Sequence, residues 1–444
     1  MTPQRADAVI IGAGMGGMCA AARLTAAGLK VILLEKSRYL GGRCSHRERD
    51  GFTVTTGAIM IPMGSDSTIR QAFDAVDVDM EMVETTGRMR YRLDHGDYDL
   101  PETGGGLLGM ITFAMEGDAE SARELFQHFR EAIGIAAPDE KETMRDWLER
   151  HTSNQAVKGL FQGFCAALMG TNLHEIPAAE FFRFLRHSSH GSRFGLAARG
   201  NGSLMEGLGA AIEARGGEIR RQSACRRILV EKGRAVGVEV RRSGGRSEIL
   251  HADYVLSNTG PRMTMALTQD ERLFDGPWRE RLEAAPHDAP IIHYSFVCDE
   301  PLMEDLTGSL VFGNTRNLIY LEIPSLISPV LAPPGQYLHT AYGAPSDAAT
   351  SNLKEEAENT FFELETNFPG VIKRAQFLVR ARHSGRSPGM HRWAGFMMPV
   401  ETPVGNLFNV GDGATSPGTI GTEGAASSAK VAVEEILNRT NSTR

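Results

Sequence analysis

The sequence has only five cysteines in 444 residues, Cys19, Cys44, Cys165, Cys225 and Cys298, and no C-x-x-C pair. That pattern excludes a disulfide framework and a zinc site, and leaves reduced, buried thiols of a cytoplasmic protein as the expectation. No apolar run approaches the roughly 20 residues of a membrane span. The first apolar strand begins by Ala8, which leaves no room for a signal peptide. Basic residues are in deficit, 47 against 55 acidic ones for a net charge of −8, so a nucleic-acid partner is not expected. No P-loop, metal-ligand spacing or Ser-His-Asp cluster is present. Lysine is missing altogether between Lys232 and Lys354.

Glycine, by contrast, is abundant, with 49 residues, and a few of these stand where they carry meaning. The stretch Asp7 to Lys36 reads as strand, glycine turn, helix, strand. Gly12, Gly14 and Gly17 form G-x-G-x-x-G. Gly12 serves the tight turn, Gly14 lets the backbone approach a pyrophosphate, and Gly17 lets the helix pack close to the strand. The helix over about 15–27 presents free N–H groups and a partial positive charge to a diphosphate. Glu35 ends the second strand 23 residues after Gly12, close to the roughly 20 expected of an acid that holds an adenosine ribose. A 2′-phosphate would be repelled there, so NADP is disfavoured. The strand, helix, second strand and acid supply the context that makes the glycine motif a dinucleotide site.

The next residues choose the cofactor. Lys36-Ser-Arg-Tyr-Leu-Gly-Gly-Arg43 contains R-x-x-G-G-R, with the paired glycines at Gly41 and Gly42. This pattern resembles the FAD-dependent superfamily of phytoene desaturases, carotenoid isomerases, retinol saturases and flavin amine oxidases. The resemblance implies that Gly42 and Arg43 lie against FAD, with Lys36 close by. Gly51 to Gly57 is similar to the family's G-F-x-x-D-x-G, with Thr55 where the family usually has Asp. Gly57 matches, and Ala58 to Gly64 then passes the flavin ring. In the family's second cofactor segment, the backbone near Ala224 and Cys225 meets the adenine. Gly411-Asp412 resembles the family's G-D, whose Asp lies near the ribityl and pyrophosphate groups. Gly421 and Thr422 open a last helix, whose positive end, aimed at the flavin N1–C2=O edge, stabilises reduced flavin. No cysteine lies in this segment, so FAD is expected to be held non-covalently.

Between these segments the chain changes character. From about Asp77, two short strands lead to Gly104-Gly-Gly106 and an apolar stretch, Leu107 to Phe113, suited to touch a membrane surface, line a substrate mouth or pack as a core helix turn. Amphipathic helices follow over 116–133, 143–151, 154–169 and 177–187. Strands return over 291–297, 317–322 and 337–342. The segment Pro324 to Gly335 looks like the phytoene desaturase branch rather than the amine oxidases. The polar tail from Asn438 to Arg444 is expected to fray.

The fold class expected is α/β: a discontinuous Rossmann-like FAD-binding domain (residues 1–75, 195–270 and 398–444) with a mixed-sheet plus helical substrate domain (76–194 and 271–397). The function implied is dehydrogenation of a small apolar, isoprenoid-like or alicyclic substrate by hydride transfer to flavin N5, with oxygen, a quinone or another electron acceptor as partner. Amine oxidation is the alternative. Amine oxidases of this kind place a lysine near N5, on the strand before an acidic-Pro turn. Here that place falls near His293, which makes His293 the candidate base for a substrate proton. His391 and Trp393 are further candidates to face the ring. Saturation or isomerisation by reduced flavin, and a non-enzymatic prenyl-binding role, are the remaining readings.

Overall fold

The buried strand Val31–Leu34 has no polar face to give to water, as a strand covered on both sides should not, and Gln4–Ile11 is buried from Ala8 onward. The computed structural model describes residues 4–85, 89–101, 105–134, 138–188, 193–242, 245, 247–284, 289–350, 352–384 and 394–443. Gln4–Ile11 lies between Val31–Leu34 and Ser247–Ser257, parallel to both. Glu218–Arg220 extends the sheet in parallel beyond Val31–Leu34, and Leu407–Asn409 adds in parallel to Ser247–Ser257. The hairpin Ser223–Glu231 and Arg234–Arg242 completes a seven-stranded sheet. Its strands come from three separated stretches of the chain. Helices Met15–Ala26, Asn201–Ala214 and Gly421–Thr443 pack together on one face around Met18, Ala22, Leu208 and Ala429.

A second seven-stranded sheet runs in the order Gln376–His383, Ile291–Cys298, Tyr337–Gly343, Leu318–Glu322, Ser309–Phe312, Arg90–Leu93, Gly96–Asp99. It is mixed, because Ser309–Phe312 pairs in parallel with Arg90–Leu93 while the other neighbours are antiparallel. One face packs on helix Leu353–Asn367 through Ile292, Tyr294, Phe296 and Leu364. The other face is divided. Val297 and Leu338 meet Phe52 and Val54 of the strand Phe52–Thr55, next to the cofactor loops. Val311 and Tyr91 meet the helical block.

That block contains helices Gly106–Ala114, Ala119–Gly134, Met144–His151, Gln155–Phe164 and Ala178–Ser188. Phe129, Trp147, Phe161, Phe181 and Phe182 interlock at its centre. Each aromatic buries a large apolar area and gains a further contribution from edge-on ring contacts. Thr143 and Asn154 cap their helices by accepting from Asp146 N and Val157 N. The expected continuous helix over 154–169 changes pitch instead: Cys165–Met169 is a π turn, a feature common at functional sites.

The sequence reading missed the strands Ser309–Phe312 and Gln376–His383. The expected fraying of the tail is corrected too: helix Gly421–Thr443 runs on to Thr443. Arg439 holds it by ion pairs to Glu435 and Glu401 and by stacking on Phe408.

Candidate cofactor and active site

The first sheet brings its loops together at the C-terminal ends of Gln4–Ile11, Val31–Leu34, Ser247–Ser257 and Leu407–Asn409. Gly12 turns with φ +94°, and a Cβ on Gly17 would overlap the Gly12 carbonyl oxygen. The helix it opens therefore sits as close as its strand allows, as a glycine at that place was read to permit. Its N-cap, Gly14, has no side-chain partner for the first N–H groups. These stay available for an anion. A Cβ on Gly14 would lie 2.7 Å from Asn258 Nδ2.

Glu35 is buried at the end of its strand. It accepts from Ala13 N at 2.9 Å and Ser37 N at 2.7 Å. A carboxylate has about four lone-pair sites, so two remain for ribose hydroxyls. Ser223 N donates to Glu35 O at 2.8 Å, so Ala224 and Cys225 leave along the same edge. The Cys225 thiol is half-buried, pushed up to about 12 by that burial, and turned to Arg227 O. Its side chain offers no charge to a ligand. Lys36 is exposed.

The paired glycines pack on the first loop. Gly41 N donates to Ala13 O at 2.7 Å, and both Gly41 and Gly42 have positive φ. Arg43 and Asp412, 369 residues apart, form an ion pair in the partly buried space beside them. Gly411 has φ +104°, and its N–H donates to Ser428 of the last helix at 2.8 Å. Gly421 and Thr422, at the start of that helix, are half-buried. A diphosphate needs a neutralising cation and free N–H groups, and a ribose needs a buried acid. The glycine loops and the helix N-terminus provide the N–H groups and partial positive charge, Glu35 the acid, and Arg43, paired with Asp412, lies beside them, so the residues fit FAD.

The segment expected to pass the flavin ring is fastened from three sides. Tyr342 Oη donates to Gly57 O at 2.7 Å. Asn201 Nδ2 donates to Ala58 O, and Ala58 N donates to Arg43 O at 3.2 Å. Thr55, in place of the usual Asp, is buried against Tyr342. None of Asn201, Asn258 and Tyr342 was singled out in the sequence. A polar residue closing a buried strand was the available signal for Asn258.

His293 lies on the face of the mixed sheet away from Ile292 and Tyr294, as its alternation predicted. It is 3% exposed, its Nε2 meets Ser295 Oγ at 2.7 Å, and its ring stacks on Tyr342 with centroids 4.6 Å apart. Burial pushes its pKa down to about 3. The candidate base is thus a neutral, packed ring, and a much weaker base than the unperturbed value of about 6.5 suggested. His391 and Trp393 lie outside the described residues.

On the same face stand Tyr342 and Thr340 of Tyr337–Gly343, with Tyr320 and Glu322 of Leu318–Glu322 directly opposite them. Ser309 faces Glu322 from the next strand and donates to its Oε1. Glu322 was not singled out, although an acid at the end of the apolar run Leu318-Ile-Tyr-Leu321 is unusual. Among the described residues there is no cluster of side chains suited to a metal ion, and no helix is long and apolar enough to cross a membrane.

Comparison with known proteins agrees with this geometry. A phytoene desaturase (neurosporene-forming) of Cereibacter sphaeroides is 23% identical, over 96% of this chain and 93% of its own. A chloroplastic prolycopene isomerase of Daucus carota is 25% identical, over 75% of this chain and 60% of its own. The crystal structure of an oxidoreductase from Methanosarcina mazei superposes with a TM-score of 0.84 at 24% identity, covering 97% of this chain and all of that one. The family described as flavin containing amine oxidoreductase matches residues 15–437. The chain therefore belongs to the flavin-containing amine oxidoreductases, and it is an FAD-dependent enzyme related to carotenoid desaturases and isomerases.

Proposed function

We propose that the protein dehydrogenates a small, apolar, isoprenoid-like or alicyclic substrate. The neutrality of the sheet face beside the cofactor loops carries this reading. The side chains there are Tyr342, Tyr320, Thr340, Ser295, a neutral His293 and a Glu322 carboxyl that burial pushes up to about 7. When bound, FAD supplies the two-electron acceptor, taking a hydride from a substrate carbon at N5. The protein's part is to hold and orient. Glu35, Arg43, Asp412 and the loops at Gly12–Gly17 and Gly41–Gly42 retain the cofactor. Tyr342 and Asn201 fix the carbonyls of Gly57 and Ala58, so that segment keeps one shape. Ile59, Leu196 and Ile319 pack around Tyr342 and exclude water.

Amine oxidation is disfavoured by the absence of lysine from residues 233–353. Leu107, Leu108 and Phe113 of helix Gly106–Ala114 pack on the helical block and stay half-buried, which leaves them part of an apolar surface suited to a membrane contact. Bound FAD would need oxygen, a quinone or another electron acceptor to return to its oxidised form. Anaerobic mixing of the FAD-loaded protein with panels of amines, isoprenoids and alicyclic compounds tests the reading. Bleaching of the flavin band by apolar compounds is the expected result, and bleaching by amines alone overturns it. Turnover of an apolar compound only after the flavin has been reduced beforehand would replace dehydrogenation with isomerisation or saturation.

A further inference from the structure

Glu322 is 2% exposed, and its Oε2 has no hydrogen-bond partner among the described residues. Its other oxygen accepts from the Ser309 hydroxyl. A buried carboxylate with an empty oxygen is costly, whereas a neutral carboxylic acid with Ser309 on its carbonyl oxygen keeps one O–H to give. Register fixes where that group points. Glu322 is directly opposite Thr340, and Tyr342 follows two residues along on the same face. Tyr342 is the residue whose hydroxyl holds Gly57, so Glu322 shares the side of the sheet that looks toward the cofactor loops. The π turn Cys165–Met169 packs over its strand from the helical block. The carboxyl therefore lies between Ser309 and Thr340 on the sheet face that also carries Tyr342.

The titratable group that faces it from the neighbouring strand is Tyr342, whose hydroxyl burial raises above its usual range. Burial also pushes Glu322 itself up to about 7.

We propose that Glu322 is a substrate-binding residue that donates its Oε2–H to a carbonyl oxygen, so that the substrate is an apolar molecule carrying a ketone or enone group. This deepens the dehydrogenase reading and rests on it. A hydrogen bond to the carbonyl draws electron density toward oxygen and acidifies the C–H bonds beside it, which is the kind of assistance a dehydrogenation next to a carbonyl requires. A carboxylic acid kept neutral by apolar surroundings is a known way to supply such a donor.

Matched ligands test this: a monocyclic terpenoid ketone and the hydrocarbon of the same skeleton, titrated anaerobically into the FAD-bound protein and followed by perturbation of the flavin absorption band. The ketone should bind roughly tenfold or more tighter than the hydrocarbon in the wild type. That preference should vanish in Glu322→Leu and largely persist in Glu322→Gln, whose amide also donates. Wild-type ketone affinity should fall as pH rises through about 7 and stay level in Glu322→Gln. Equal binding of both ligands in wild type and Glu322→Leu overturns the carbonyl assignment and leaves the apolar-substrate reading standing. Binding of neither ligand, with simple amines perturbing the band instead, overturns both. Should Glu322→Leu fail to fold, the Glu322→Gln pH profile decides: a fall parallel to the wild type refutes the proposal.

Discussion

Replacing Glu322 with glutamine should flatten the pH dependence of this protein's stability. Burial pushes the carboxyl from 4.5 to about 7, against a smaller downward pull from the Ser309 hydroxyl. Between those two values the folded chain keeps a proton that the unfolded chain releases. The stabilising contribution is therefore fully present below the unfolded value and is lost as pH rises through the folded one. At about 1.4 kcal/mol per pKa unit, the full loss is about 3 kcal/mol. That is a sizeable part of the roughly 5–15 kcal/mol by which a folded domain exceeds its unfolded state. About 2 kcal/mol of it should fall between pH 5.5 and 8.5, where an assay is convenient. Glutamine preserves shape and a donor but has no proton to lose. The measurement compares urea unfolding of wild type and Glu322→Gln at these two pH values, with the same saturating FAD. The wild type should weaken against the variant by that amount. Parallel pH dependence in the two proteins would refute the argument, because it would mean that the carboxyl is solvated or already paired in the folded chain.

Four further outcomes follow from the cofactor loops and the sheet face. Glu35→Ala removes the acceptor for Ala13 N and Ser37 N and the two lone pairs left for ribose hydroxyls. Each charge-assisted bond is worth on the order of 1.5–3 kcal/mol, so FAD affinity measured by fluorescence titration should drop at least roughly tenfold. Gly17→Ala drives a methyl into the Gly12 carbonyl, so the protein should purify colourless or release FAD on gel filtration. Tyr342→Phe deletes the hydroxyl on Gly57 O, which contributes roughly 1 kcal/mol and leaves a carbonyl unpaired, so the flavin band should shift and FAD should dissociate faster. His293→Ala should lower the melting temperature by losing the ring stacked on Tyr342, while the pH profile of flavin reduction stays that of the wild type. A wild-type profile that depends on an ionisation lost in His293→Ala would return the histidine to the chemistry.

The geometry of the candidate cofactor loop was legible because it is local. Gly12, Gly14, Gly17 and Glu35 stand at fixed offsets within one strand–helix–strand unit, so a spacing rule finds them. Arg43 and Asp412 were legible only through family resemblance, since nothing within either segment indicates that residues 369 apart form an ion pair. The alternation of Ile291–Cys298 correctly separated His293 from Ile292 and Tyr294, yet alternation says nothing about depth. The charge state of His293 depends on its burial and on His383, and the tyrosine that covers its ring comes from another strand. Glu322 was missed for the same reason. Its surroundings are Ser309 and Thr340, each on a neighbouring strand, and only the sheet register makes them neighbours.

A division of labour between the two sheets follows from this. The first sheet supplies charge and glycine at its strand ends, where loops have room to take a diphosphate. The second supplies a nearly neutral face that a redox centre can lie against without a fixed charge to alter its potential. Burial pushes Glu322 on that face up to about 7, so below that pH its unpartnered oxygen keeps one O–H to offer. The two parts meet through Tyr342, whose ring belongs to the sheet and whose hydroxyl belongs to the Gly57 carbonyl. Any substitution that shifts Tyr342 within its strand therefore moves the cofactor segment and the substrate face together. Mutations at His293, Tyr320 and Tyr342 should for that reason be non-additive in their effects on cofactor binding, since Tyr342 stacks on His293 and meets Tyr320 at a tilt.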